Sequence, residues 1–156
     1  MTQQIILEEG AFQETQRTQI NENFTELYLG FPALSGAAMR VAQVSLTAAE
    51  LGGVETNTSF TAPTNGIILI NAWIKVTDAE SGTIDVGTQG TSNDPDGILD
   101  GVSVATLGYA GQVPAAKGAL LTTFIPGGDP VSVTSSGDLN SCAATLYLQY
   151  IELPAA

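Results

Sequence analysis

The sequence predicts a mainly β fold, an antiparallel β-sandwich of jelly-roll-like type preceded by a short N-terminal α-helix. Three observations carry this reading. Beyond residue 38 the chain is a series of short β-branched or alternating runs, each bounded by Gly, Asp, Ser, Asn or Pro. Long helical patterns are scarce between those runs, which disfavours the strand–helix alternation of a parallel sheet. By contrast, Ala11 to Leu29 lacks both Gly and Pro and repeats apolar residues at helical spacing.

Taken in order, the first element is a short apolar patch, Ile5, Ile6 and Leu7, between Gln3-Gln4 and Glu8-Glu9. It is suited to pair as an edge strand or to insert into a partner's groove. The helix follows, with Ile20, Phe24 and Leu27 on one face and Gly30 and Pro32 as its stop. Continuing to Phe31 gives steps of four, three and four, the seam of a coiled coil, but its earlier extension meets Gln13 and Arg17. A long coiled coil is thereby excluded. An isolated helix would leave Phe24, Leu27 and Tyr28 in water, so the β-domain, sister chains or a larger scaffold must cover them. Pro32 to Ala38 is rich in Pro, Gly, Ser and Ala and reads as a linker. The expected division is residues 1–31 as arm and helix, 32–38 as linker and 39–156 as β-sandwich.

Within the sandwich, Met39 to Leu46 alternates, and Ser59 to Ala62 is a short run before the turn Pro63-Thr64-Asn65-Gly66. Ile67 to Thr77 is the strongest strand, with Ala72, Ile74 and Val76 set against Trp73 and Lys75. Thr83 to Thr88, Leu120 to Phe124, Pro130 to Thr134 and Cys142 to Leu153 complete the set. In the last run Leu146, Leu148 and Tyr150 share one face, and Tyr147, Gln149 and Ile151 the other. Asp96 to Ala105 fits either a short helix in a crossing loop or an irregular strand.

A chain of 156 residues suits one such domain plus a short attached segment. A hydrophobic fraction of 44% against 13% charged is enough for a packed core and argues against disorder of the whole chain. Sixteen acidic residues face only Arg17, Arg40, Lys75 and Lys117, and the net charge of −12 repels phosphate backbones and anionic membranes alike. Neither nucleic acid nor membrane is an expected partner. The start MTQQIILEEG lacks the basic and apolar regions of a signal peptide, and no run reaches the length of a membrane span, so synthesis and folding in the cytoplasm are expected. The single cysteine, Cys142, has no internal disulfide partner and reads as a buried thiol.

No histidine is present, which removes Ser-His-Asp, Cys-His and His-bearing zinc arrangements together. Nothing marks two of the carboxylates as a glycosidase pair, and no enzymatic activity or cofactor is expected. The one local cluster of hard oxygen ligands is Asn93, Asp94, Asp96 and Asp100 around Gly97, a weak calcium candidate whose spacing does not match an EF-hand. Turn chemistry accounts for the same residues. Gly82 and Gly87 have a phosphate-loop-like spacing without the following Gly-Lys-Ser/Thr and read as turn and bulge glycines. Trp73, Tyr109, Tyr147 and Tyr150 are of a type that stacks on sugars, although for Trp73 core packing or an inter-subunit contact is the stronger reading.

The stretch Thr18 to Tyr28, TQINENFTELY, resembles the IN-x-NF-x-ELY segment near the N-termini of tailed-bacteriophage virion proteins, including fibre and appendage subunits. A second stretch, Ile84 to Gly108, resembles a segment of β-rich phage particle proteins. The resemblance implies a virion structural protein of head-decoration or head-fibre type, homotrimeric, anchored to the particle by its N-terminal segment. It makes the phage major capsid protein the expected partner and the capsid surface the expected location. The partner or oligomer contacts would then fall on Ile5, Ile6, Leu7, Ile20, Phe24, Leu27, Tyr28 and Phe31. Two seam heptads are too few for a long shaft, which favours decoration of the head over a receptor-reaching fibre. The alternative is a tail fibre or appendage domain binding a host-cell receptor or glycan, with loops near Asn93 to Asp100 or Tyr109 as its contacts. A polysaccharide-cleaving enzyme would be a third class, motivated only by the abundant carboxylates.

Overall fold

The computed structural model describes residues 38–111 and 116–154. The expected N-terminal helix, the linker and the partner contacts Ile5, Ile6, Leu7, Ile20, Phe24, Leu27, Tyr28 and Phe31 lie outside the described residues. Nine strands follow in order: β1 (Ala38–Leu46), β2 (Thr56–Thr61), β3 (Ile67–Asp78), β4 (Thr83–Thr88), β5 (Asp94–Ser103), β6 (Gly108–Ala110), β7 (Phe124–Ile125), β8 (Pro130–Ser135) and β9 (Ala143–Glu152). Among the described residues there is no α-helix, and none is long and apolar enough to cross a membrane.

The strands form two antiparallel sheets. One runs β1-β9-β3-β6 with β7 also paired to β3, and the other runs β2-β8-β4-β5. First and last strands are thus neighbours, as are second and next-to-last. Alternation does the sorting of side chains, because successive residues of a strand point to opposite faces. Val44 and Leu46 of β1, Ala72, Ile74 and Val76 of β3 and Leu146 and Leu148 of β9 turn inward and are buried. They meet Ile84 and Val86 of β4, Ile98, Leu99 and Val102 of β5 and Val131 and Val133 of β8 in a single apolar core. Each such aliphatic side chain removed from water contributes about 1.5–3 kcal/mol before entropy is counted. Tyr150 reaches the same interior and packs against Phe60, ring centroids 5.4 Å apart.

Hydrogen-bonded turns carry the chain from one sheet to the other. After β1, Thr47 and Glu50 form a capping box. The Thr47 N–H and Oγ1 both donate to Glu50 Oε2, at 2.9 and 2.6 Å, while the Glu50 and Leu51 N–H groups donate back to the Thr47 carbonyl. Before β3, the Gly66 N–H donates to the Pro63 carbonyl at 2.7 Å, with Gly66 at φ 79°. That left-handed conformation costs glycine little, which is why Asn65-Gly66 announces the turn in the sequence.

Segment 116–123 ties the two sheets along one side. Gly118 and Leu120 donate their N–H groups to the carbonyls of Ile98 and Gly97 on β5, and Thr122 donates to Leu69 on β3 at 2.7 Å. This corrects the expected strand from Leu120 to Phe124. Thr122 adopts φ 64°, and both the N–H and Oγ1 of Thr123 donate to the Leu120 carbonyl, so the stretch turns and only Phe124 enters β7. Its apolar residues pack on the core without a ladder.

The ambiguous stretch Asp96 to Ala105 is resolved as strand β5, beginning at Asp94. Its pairing with β4 shifts register twice, which explains the irregular hydrophobic pattern. At one of those irregularities a Cβ on Gly87 would lie 1.9 Å from the Asp94 carbonyl oxygen, so the position accepts no side chain. Strand β2 starts at Thr56, earlier than the expected Ser59, through polar residues whose pairing with β8 is interrupted. The three-residue β6 has too short a pattern to stand out in the sequence.

Candidate functional site

The outer face of the five-stranded sheet is built in rows, because directly paired residues on neighbouring strands point the same way. At the end where β1 begins, Met39 pairs with Ile151, Ile151 with Ile68, and Ile68 with Phe124. Four apolar residues on four strands therefore lie side by side, with Met39 64% and Phe124 51% exposed. Next comes Val41, paired with Gln149, which is paired with Asn71. In the third row Gln43 pairs with Tyr147 and Tyr147 with Trp73. The fourth holds Ser45, Thr145, Lys75 and Tyr109.

Aromatic contacts stiffen the far half of the face. Trp73 and Tyr147 stack with ring centroids 5.4 Å apart and planes 5° from parallel, so each ring gives one face to the other. Lys75 Nζ lies 5.9 Å from the centroid of Tyr109, within cation–π range.

Charge is distributed unevenly between the two sheets. The four rows contain no carboxylate and one cation, Lys75, while Asp78 stands beyond them at the rim, paired with Ala143. The second sheet carries Asp85 on β4 and the exposed Asp100 on β5, and beside it Glu55 accepts a hydrogen bond from Ser132 at 2.8 Å. Arg40 pairs with Glu152 away from the rows, since their neighbours in register, Tyr150 and Ala38, belong to the opposite parity.

A polar clamp sits beside the face, where the β3–β9 register slips between Leu69 and Asn71. Lys117 Nζ donates to the Ala72 carbonyl and, at 2.8 Å, to Asn71 Oδ1, which also accepts the Ala72 N–H at 3.0 Å. Burial holds the Lys117 ammonium below the usual lysine range.

The calcium candidates are only partly gathered. Asp94 and Asp96 approach each other, and a hydrogen bond with Asp96, with some burial, raises the Asp94 carboxyl above its ordinary value. Asp100 lies along β5, where the neighbouring Gly101 N–H donates to Asp85 Oδ1 at 2.6 Å. Among the described residues no group of three or more His, Cys, Asp or Glu is placed to hold a metal ion. The preceding loop is organised instead by buried Asp129, whose carboxylate accepts the N–H groups of Thr91 at 3.1 Å and Ser92 at 2.9 Å. Cys142 is buried, and burial with the charges of Glu80 and Asp78 pushes its thiol up, away from the reactive thiolate.

Of the aromatic residues singled out in the sequence, Tyr150 is a core residue, whereas Trp73, Tyr147 and Tyr109 share the outer face. The sequence reading missed Met39, Val41, Ile68, Phe124 and Ile151 as members of one surface. Their signal was available in strands that are apolar on both parities, as in IILINAWI and LYLQYI, where a half-exposed strand would alternate.

No protein-family model matches the chain, and no curated protein matches it. Among solved structures, it is similar to a chain of the cyanophage Pam1 capsid asymmetric unit, with a TM-score of 0.50 and 19% sequence identity. The likeness covers 76% of this chain and 86% of that one, and it concerns the fold.

Proposed function

We propose that the chain is a structural protein of a tailed-phage particle, acting on the head as a capsid decoration (cement) protein or short head fibre. The observation that carries this reading is the strand order. Sheets ordered β1-β9-β3-β6 and β2-β8-β4-β5 are two Greek keys wound together as a jelly roll, an architecture that recurs in viral capsid domains. The fold likeness to a chain of the Pam1 capsid supports it, as does the resemblance of Thr18 to Tyr28 to virion N-terminal segments.

On this reading the N-terminal segment, through Ile5 to Leu7 and the Ile20, Phe24, Leu27, Tyr28 and Phe31 seam, binds the major capsid protein. Copies assemble as homotrimers on the capsid surface after synthesis in the host cytoplasm. Binding only the assembled lattice stabilises the shell by mass action. The test is co-sedimentation of the full chain, and of a variant lacking residues 1–31, with purified capsids. Binding by the full chain and its loss in the variant, with the β-sheet circular dichroism retained, is the expected result. Undiminished capsid binding by the truncated chain would overturn it.

Jelly rolls also serve as lectin domains, and the Trp73, Tyr147 and Tyr109 patch favours a second reading, a tail fibre or appendage domain that binds a host glycan. Binding of the full chain to host cells or a glycan array, lost on Trp73→Ala, is its expected signature.

A further inference from the structure

We propose that the outer face of the five-stranded sheet is the surface on which a second copy of this chain docks. The assignment rests on the reading above only in taking copies of the chain to assemble. It names one face at which two copies meet.

Apolar exposure is the first argument. Six large hydrophobic residues are exposed among the described residues, and four of them, Met39, Val41, Tyr109 and Phe124, lie in the rows of this one face. Contiguous apolar area of that kind marks an interaction surface. The row Met39–Ile151–Ile68–Phe124 crosses four strands without a polar interruption.

Charge selects the occupant. Each copy carries a net charge of −12, so two copies repel through any pair of surfaces rich in carboxylates. The rows of this face have none, whereas the second sheet presents Asp85 and Asp100. Like-charge cost is therefore lowest here, and Lys75 offers the approaching acidic copy a favourable counter-charge. The stacked pair Trp73 and Tyr147 adds rigid aromatic surface of the kind enriched at protein interfaces.

Size sets the strength. Four strands about 4.8 Å apart and rows spanning about 20 Å give a flat footprint of roughly 400 Å². That is about half of the ~800 Å² per partner of a standard stable interface. Association is accordingly concentration-dependent, and it is favoured where copies are already held close together.

The test is sedimentation velocity of the full chain at concentrations up to about 500 μM, at low salt and at about 0.5 M salt. Reversible self-association that strengthens with salt is expected, because screening relieves the repulsion between acidic copies. The double variant Met39→Glu with Val41→Glu should weaken it at least about tenfold. Gln43→Glu with Gln149→Glu, which adds carboxylates without removing apolar area, should weaken it in the same direction. Val54→Glu, at a residue 67% exposed but outside the rows, should leave it unchanged. A full chain that stays monomeric throughout overturns the proposal, including a monomer in which its own N-terminal segment covers the face. Self-association untouched by either face variant overturns it as well. Capsid co-sedimentation of the same proteins reads the proposed function separately, since it can be lost while self-association persists.

Discussion

Trp73 on β3 and Tyr147 on β9 are register partners whose rings lie parallel, 5.4 Å between centroids and 5° between planes. Cross-strand pairs are the unit of sheet stability, and an aromatic pair adds about 0.5–1.5 kcal/mol beyond the area it covers. Trp73→Ala, Tyr147→Ala and the double variant, compared by urea denaturation, should show a coupling energy of about 1 kcal/mol. Strict additivity would mean that the stack contributes nothing beyond its separate burials.

Lys117 should behave as a structural lysine. Replacing it with Ala removes the side-chain donor from the Ala72 carbonyl and leaves Asn71 Oδ1 with the Ala72 N–H alone, and the loss should be about 1–3 kcal/mol in denaturant melts. The pH dependence has a definite sign. Burial lowers its pKa in the folded state, so just below the ordinary value of 10.5 the unfolded chain binds more protons. Stability of the native protein relative to Lys117→Met should therefore rise with pH in that alkaline window.

Glu50 gives the opposite limb. Burial pushes its carboxyl up, but hydrogen bonds from Thr47 Oγ1 and from the Thr47 and Glu50 N–H groups outweigh it and leave the pKa below 4.5. Stabilisation from the ionised group is complete above the unfolded value and is lost as pH falls through the folded one. Glu50→Gln should cost about 1 kcal/mol at neutral pH, and its acid unfolding curve should be less steep than that of the native chain just below pH 4.5. Parallel curves for the two proteins would refute the capping role.

Gly87 should tolerate no replacement. A Cβ there would meet the Asp94 carbonyl oxygen at 1.9 Å, and both groups are backbone-fixed on paired strands. Gly87→Ala should lower stability by more than about 2 kcal/mol, read as a fall in melting temperature. Gly137→Ala, where a Cβ meets nothing within 4 Å, is the control and should change little.

Much of this fold was legible because burial is periodic in its long strands. Ala72, Ile74 and Val76 against Trp73 and Lys75, and Leu146, Leu148 and Tyr150 against Tyr147, Gln149 and Ile151, fall on the faces that their alternation assigns. Leu120 to Phe124 failed for a tertiary reason. Its apolar residues cover the side of the sandwich from a turn held by Leu69, and hydrophobicity alone does not separate that from a ladder. Asp96 to Ala105 stayed ambiguous because register shifts break the period that identifies a strand. The interaction face was hidden for another reason. Its rows join residues from the first and last strands, such as Met39 and Ile151, and no local pattern reveals a pairing across more than a hundred positions.

Ala38 and Glu152 are partners in register, so the polypeptide comes into the sandwich and departs from it at one pole. The opposite pole is made of the bends around Glu50, Glu80 and Gly137, which are laced together where the Ser141 N–H meets Glu80 and the Leu139 N–H meets the Leu51 carbonyl. A nine-residue strand at about 3.3 Å per residue separates the two poles by roughly 30 Å. Passenger peptides spliced into the exposed bend at Ser136 to Asp138 would be carried to the tip farthest from either junction, which makes the domain a natural pedestal for display.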